Sequence, residues 1–275
     1  MTIKKTIKLS AIHPNAGTEA DFQRKLDAMI KNMHDSLLYW LSAAYKANKP
    51  ASMAQDASSS AILQAIMARL TRKWLKKFND ASKPMASYYA NEAADRTDAA
   101  LKAALKKSGM TVEFKITPAI QDIITASVNE NVSSIKSIAS EHLTDVAQIV
   151  QRCVQEGRNL GGLQKELVQR YGITKRRAIL IARQSNNQAS AMIERQRAKE
   201  MGIETATWVH SSAGKHPRRE HIDWHGTEYN IQTGKWSSVS GKYVWPGTDY
   251  NCRCQKRMML KTAIKVSESA KQRAR

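Results

Sequence analysis

Apolar residues recur at three-and-four spacing through most of the first 157 positions, and that period commits this part of the chain to amphipathic helices. After Thr18, a residue type suited to cap a helix, the stripe runs Phe22, Leu26, Met29, Ile30, Met33, Leu37, Leu41 and Ala44. Pro50 and the polar stretch ASMAQDASSS predict its end. A second stripe (Leu63, Ile66, Met67, Leu70, Trp74, Phe78) carries the basic face RKWLKK, and Pro84 predicts a break before a third, alanine-rich helix from Ser87 to Lys107. TVEFKITP alternates Val112, Phe114 and Ile116 with polar residues, which reads as a short strand or an extended connector. Thr117-Pro118 then opens a helical stretch that reaches Gln155, with a break expected near residue 140.

GRNLGGLQ is glycine punctuation, and it places a domain boundary between residues 157 and 158. Two helices are expected beyond it, one over residues 160–170 closed by Gly172, the next capped by Thr174 and stopped at Gly202. Past Gly202 the period drops to two. Ala206, Trp208 and His210 alternate with Thr205, Thr207 and Val209, and GKYVWPG and NCRCQKRMML read as two more strands. The tail SESAKQRAR has no apolar pattern and is expected to be disordered from about residue 266. The predicted class is α+β, with a mainly α-helical region over 1–157 and a smaller basic α+β domain over 158–275 that holds a short antiparallel sheet.

Charge narrows the choice of partner. Lys and Arg number 44 against 24 Asp and Glu, a net charge of +20. Residues 1–157 contribute +6 and residues 158–275 contribute +14. A field of that sign draws polyanions, and sequence-blind nucleic-acid binding is its ordinary consequence. Candidate phosphate contacts are Lys175, Arg176, Arg177, Arg183, Arg218, Arg219, Arg253, Lys256 and Arg257. Arg183 suits a buried structural pairing equally well.

Three cysteines cannot pair completely, no secretory pattern precedes them, and no apolar run is long enough to cross a membrane. A reducing cytoplasm is the expected compartment. Cys153 sits on an apolar stripe and is expected to be a buried thiol. Cys252 and Cys254 flank Arg253 after a Pro-Gly turn, and four readings stay open for them: a metal clip, a redox pair, a nucleophile, or a packing detail of the last strand. His216, His221 and His225 lie upstream. Zinc takes about four nitrogen or sulfur ligands, and Cys-x-Cys is tighter than the usual spacing. The candidate ligands are His221, Cys252 and Cys254, for a possible structural zinc. His210, His221, Asp223 and Asn251 offer the residue types of a metal-dependent nuclease or toxin-like enzyme, but without acidic ligands at a defined spacing. No catalytic residue is assigned, and the protein is expected to be non-enzymatic.

The order IARQSNNQA, ATWVHS, HPRREHIDWHG, WPGTDYNCRC resembles the phage head morphogenesis family, the Mu F-like minor head proteins. The matching positions are Ala182 and Arg183; Arg218, His221 and Gly226; Pro246 and Gly247; and Asn251 to Cys254. The segment PNAGTEADFQRKLDAMIKNMHDSLLYWLSAAYKAN is also similar to the N-terminus of Mu-like members. One departure is IDWHG, where many members carry leucine or aspartate before the glycine, so His225 is expected to be incidental. The resemblance implies a minor head protein of the virion, assembled in the host cytoplasm near the portal. It implies portal and other capsid proteins as partners, docked by the helical region, contact with double-stranded DNA, and possible ejection with the genome. A purely structural portal adaptor without DNA contact is the other reading it allows.

Overall fold

The computed structural model describes residues 2–47, 56–155, 160–212, 214 and 216–265. The elements run β1 (Thr2–Lys8), α1 (Ala16–Ala47), α2 (Asp56–Lys107), α3 (Pro118–Gln155), α4 (Leu160–Glu200), β2 (Thr205–Val209), α5 (Arg219–Asp223), β3 (Glu228–Asn230), β4 (Lys235–Ser237), β5 (Lys242–Val244) and β6 (Gln255–Lys265). The class is α+β. No helix among the described residues is long and apolar enough to cross a membrane.

The chain forms two compact units, and α2, α3 and α4 each contribute residues to both. The boundary expected at 157/158 lies among residues 156–159, outside the described residues, as does the tail from residue 266.

The helical unit comprises residues 17–89 and 126–183. Its core is the predicted α1 stripe, with Phe22, Leu26, Ile30, Met33, Leu37 and Leu41 all buried against Leu63, Met67, Leu70, Trp74 and Phe78 of α2. Each such side chain contributes about 1.5–3 kcal/mol. Ile135, Ile138, Leu143, Val146 and Val150 of α3 close the core, and Cys153 is buried among them.

The predicted helix breaks give way to this packing. α2 runs through Pro84, because Phe78, Ala86 and Tyr89 bury on one face on both sides of the proline. α3 is continuous at residue 140, where Ile138, Ala139 and Leu143 are fully buried. α4 is continuous through Gly172: the Thr174 hydroxyl donates back to the Arg170 carbonyl and meets His142 Nδ1 at 2.8 Å instead of capping a new helix. α1 opens at Ala16, so Thr18 lies inside its first turn.

The mixed unit comprises residues 1–16, 90–125 and 184–275. Its antiparallel sheet has the order β1-β6-β2-β3, with Lys8 opposite Met259, Trp208 opposite Lys256 and Ala206 opposite Tyr229. β1 was not anticipated, although Ile3, Ile7 and Leu9 alternate with polar residues. β4 and β5 form a separate hairpin. Residues 110–117 are an extended connector without sheet pairing, whose Val112 and Phe114 pack on the core. Thr117 caps α3 as predicted, accepting from the Ile120 N–H at 3.3 Å. α4 is closed just past its last residue by Gly202 (φ 68°): Gly202 N–H donates to the Lys199 carbonyl and Ile203 N–H to the Ala198 carbonyl, the paired closure that satisfies two orphan carbonyls.

Candidate functional site

The chemistry of the mixed unit gathers where α4, β2, α5 and the loop before β6 meet. The loop turns at Pro246-Gly247. Gly247 has φ 84°, and a Cβ there would lie 3.0 Å from the Ala191 Cβ of α4, so only glycine lets the loop rest on that helix. The chain then makes a second turn, closed by the Cys252 N–H donating to the Asp249 carbonyl, with Asn251 in the left-handed region that asparagine tolerates. Two α4 amides grip this turn. Gln184 Oε1 accepts from the Asn251 N–H at 2.6 Å, and Asn187 Nδ2 donates to the Cys252 carbonyl at 3.1 Å. These contacts give a physical reason for QSNNQ and NCRC to occur together.

α5 supplies the facing group. Glu220 accepts hydrogen bonds from Ser237 and from the N–H and hydroxyl of Ser238, which fastens α5 to the β4–β5 hairpin. One residue on, His221 points inward and is buried. Its ring stacks on Trp224 (5.2 Å, 26°) and meets Trp208 of β2 edge-on at 5.1 Å. His221 Nδ1 lies 3.6 Å from Cys252 Sγ and 3.7 Å from Cys254 Sγ. The three ligand atoms fall within 4.8 Å of one another, and all three residues are buried. His221 Nε2 is buried without a hydrogen-bond partner among the described residues.

The two thiols are driven apart in acidity. A hydrogen bond from Cys254 holds the Cys252 thiol well below its ordinary range against the opposing effect of burial, helped by His221 and the N–H groups of Cys254 and Gly247. The same bond, with burial, holds the Cys254 proton in place. The pair therefore favours one thiolate. Beside it, burial raises the Asp249 carboxyl, but the Ser240 hydroxyl, the Tyr250 N–H, Arg218 and Lys242 outweigh burial and hold it ionised.

The structure brings together His221, Cys252 and Cys254 and leaves the other candidates apart. Both cysteines precede β6 rather than opening it. His216 and His225 are exposed, and His225 Nδ1 accepts the His210 N–H at 3.1 Å. Asp223 is exposed and pairs with Arg219, so the His210–His221–Asp223–Asn251 set makes no metal grouping among the described residues.

The nine basic candidates divide between the units. In the helical unit, Arg176 is exposed, Lys175 faces Asp27 at 3.5 Å, Arg177 is bonded to Glu141 and Ser137, and Arg183 pairs with Glu19 at 3.2 Å. In the mixed unit, Arg219 and Arg257 are exposed, Arg253 is half-buried, and Arg218 is tied to the Tyr250 carbonyl and Asp249. Lys256 is a correction. It is 2% exposed, with its ammonium 2.7 Å from Glu194 and 3.1 Å from the Ala191 carbonyl, out of reach of any phosphate. Burial raises the Glu194 carboxyl, and Lys256 opposes that rise.

Sequence reasoning missed the residues that hold the site: Gln184, Asn187, Glu220, Trp208 and Trp224. It also missed Arg197, a fully buried guanidinium bidentate to Asp98 at 2.9 and 2.7 Å. The quoted motifs contain most of them, but polar spacing alone does not say which amide meets which carbonyl.

The family model described as Phage Mu protein F like protein matches residues 144–257. A Haemophilus influenzae protein described as uncharacterized is 26% identical over 227 residues, covering 77% of this chain. The chain spans 49% of that relative's length. No solved structure matches the chain significantly. The gripped loop, α5, β2 and β3 fall within the matched segment, and over residues 144–257 the chain is similar to the Phage Mu protein F like family.

Proposed function

We propose that the protein is a minor head protein acting in phage head morphogenesis, which sits near the portal and rests against packaged DNA without reading its sequence. The observation that carries this reading is the family match over residues 144–257, which covers the motif positions that fold together around α4 and the Cys252–Cys254 loop. The charge supports the DNA arm, since residues 158–275 hold +14. Arg176 of the helical unit and, separately, Arg219 and Arg257 of the mixed unit are exposed and available to phosphates. Phosphate contacts of this kind release counterions and position the protein without specifying bases.

A structural adaptor that ignores DNA is the second reading. It is favoured by the cations already engaged inside the protein: Lys256 with Glu194, Arg177 with Glu141, Arg183 with Glu19. Mobility shift of duplex DNA across a salt series, with and without magnesium, separates the readings. The head protein retards DNA at low salt and leaves the strands intact. The adaptor binds no better than any protein of similar charge, and a metal-dependent nuclease nicks only with magnesium. Co-purification with the portal protein tests the assembly arm.

A further inference from the structure

We propose that His221 Nδ1, Cys252 Sγ and Cys254 Sγ bind a zinc ion, which fastens α5 to the loop that leads into β6.

Geometry carries the first part. Zinc–sulfur bonds of about 2.3 Å and zinc–nitrogen bonds of about 2.0–2.1 Å, in a tetrahedron, set neighbouring nitrogen and sulfur ligands about 3.6 Å apart. The two nitrogen–sulfur separations here are 3.6 and 3.7 Å. One ring nitrogen nearly equidistant from two sulfurs is poorly served by a single directed hydrogen bond. An ion at the common centre serves both at once.

The surroundings carry the second part. The donor set is two sulfurs and an imidazole, which favours zinc over the hard cations magnesium and calcium. Backbone N–H groups already point at the sulfurs, those of Gly247 and Cys254 at Cys252 and that of Ser211 at Cys254. Such bonds orient metal thiolates. Trp208 and Trp224 wall the histidine, while Asn187 and Gln184 hold the cysteine turn from outside. The ligands come from two segments about thirty residues apart in a small sheet-based unit, where a metal cross-link stabilises most. With three protein ligands, the fourth position falls to water or to a donor outside the described residues. Binding takes both sulfurs as thiolates, releasing the proton the pair still holds, and changes no oxidation state.

The test is metal analysis of the full chain purified under reducing conditions without added chelator, followed by cobalt titration of the stripped protein. Near-stoichiometric zinc is expected. Cobalt should give the thiolate charge-transfer bands and intense visible bands of a tetrahedral sulfur-bearing site. Cys252→Ser and His221→Ala should abolish both, and Cys153→Ser, in the other unit, should leave both intact. Because a ligand variant can misfold, the wild-type cobalt spectrum is the deciding measurement. Folded, reduced protein that takes up neither zinc nor cobalt, or that holds Cys252 and Cys254 as a disulfide, overturns the proposal.

Discussion

The Asn187 side-chain amide donates to the Cys252 carbonyl across 3.1 Å, joining the middle of α4 to the turn that carries both clustered cysteines. The contact is buried, so no water replaces it when the amide is lost. Asn187→Ala should destabilise the protein by about 1–3 kcal/mol, the cost of leaving a buried polar group unpaired. Urea unfolding measures the loss, and a thiol reagent should reach Cys252 faster in the variant. A change below a few tenths of a kcal/mol, with reactivity unaltered, contradicts the assigned grip.

Lys256 and Glu194 form a buried pair, 2% and 7% exposed at their side chains. Lys256→Met strands a carboxylate in the interior and should cost about 3–5 kcal/mol. Replacing both with methionine should recover most of that loss, because no charge is then left unpaired. Denaturant midpoints of the two variants check this. The single variant should also leave DNA affinity unchanged once folding is accounted for, since its ammonium faces inward.

His142 gives the helical unit an acid limit. Burial first, then Arg170 and His34, lower its pKa from 6.5 to about 4. The unfolded chain therefore binds the proton more readily than the folded one. The contribution is fully present above about pH 6.5 and is lost as pH falls toward 4, amounting to about 3 kcal/mol. His34, stacked on Tyr171 and lowered mainly by burial, adds in the same direction. Thermal unfolding between pH 7 and pH 4 should show the loss, and His142→Gln should flatten it.

The α1 stripe from Phe22 to Ala44 was legible because period and burial coincide there. The breaks at Pro84, residue 140 and Gly172 were not, since local breakers lose to tertiary packing when apolar residues on both sides face one core. Thr174 illustrates this: its hydroxyl turns to the Arg170 carbonyl and His142, a choice set by α3 rather than by its neighbours in sequence. β1 escaped notice because its partner lies about 250 residues away, although its alternation was present. In β6, alternation places Lys256 and Met258 inward and Arg257 outward, so strand period could have separated the buried cation from the exposed one. The clustering of His221 with both cysteines was visible as a ligand set, and the resemblance at Arg218, His221 and Gly226 favoured His221 over His225, but the spacing of the histidines gave no physical reason for it. The tryptophan walls decide it.

The proposed contact between exposed cations and DNA phosphates is checked by the salt dependence of duplex affinity. With Arg176, Arg219 and Arg257 engaged, log K should fall against log salt with a slope of about −3 or steeper. The triple alanine variant should flatten that slope, and two duplexes of unrelated sequence should bind alike. No duplex binding at low salt beyond that of an equally basic control protein, or a slope unchanged in the triple variant, contradicts the account.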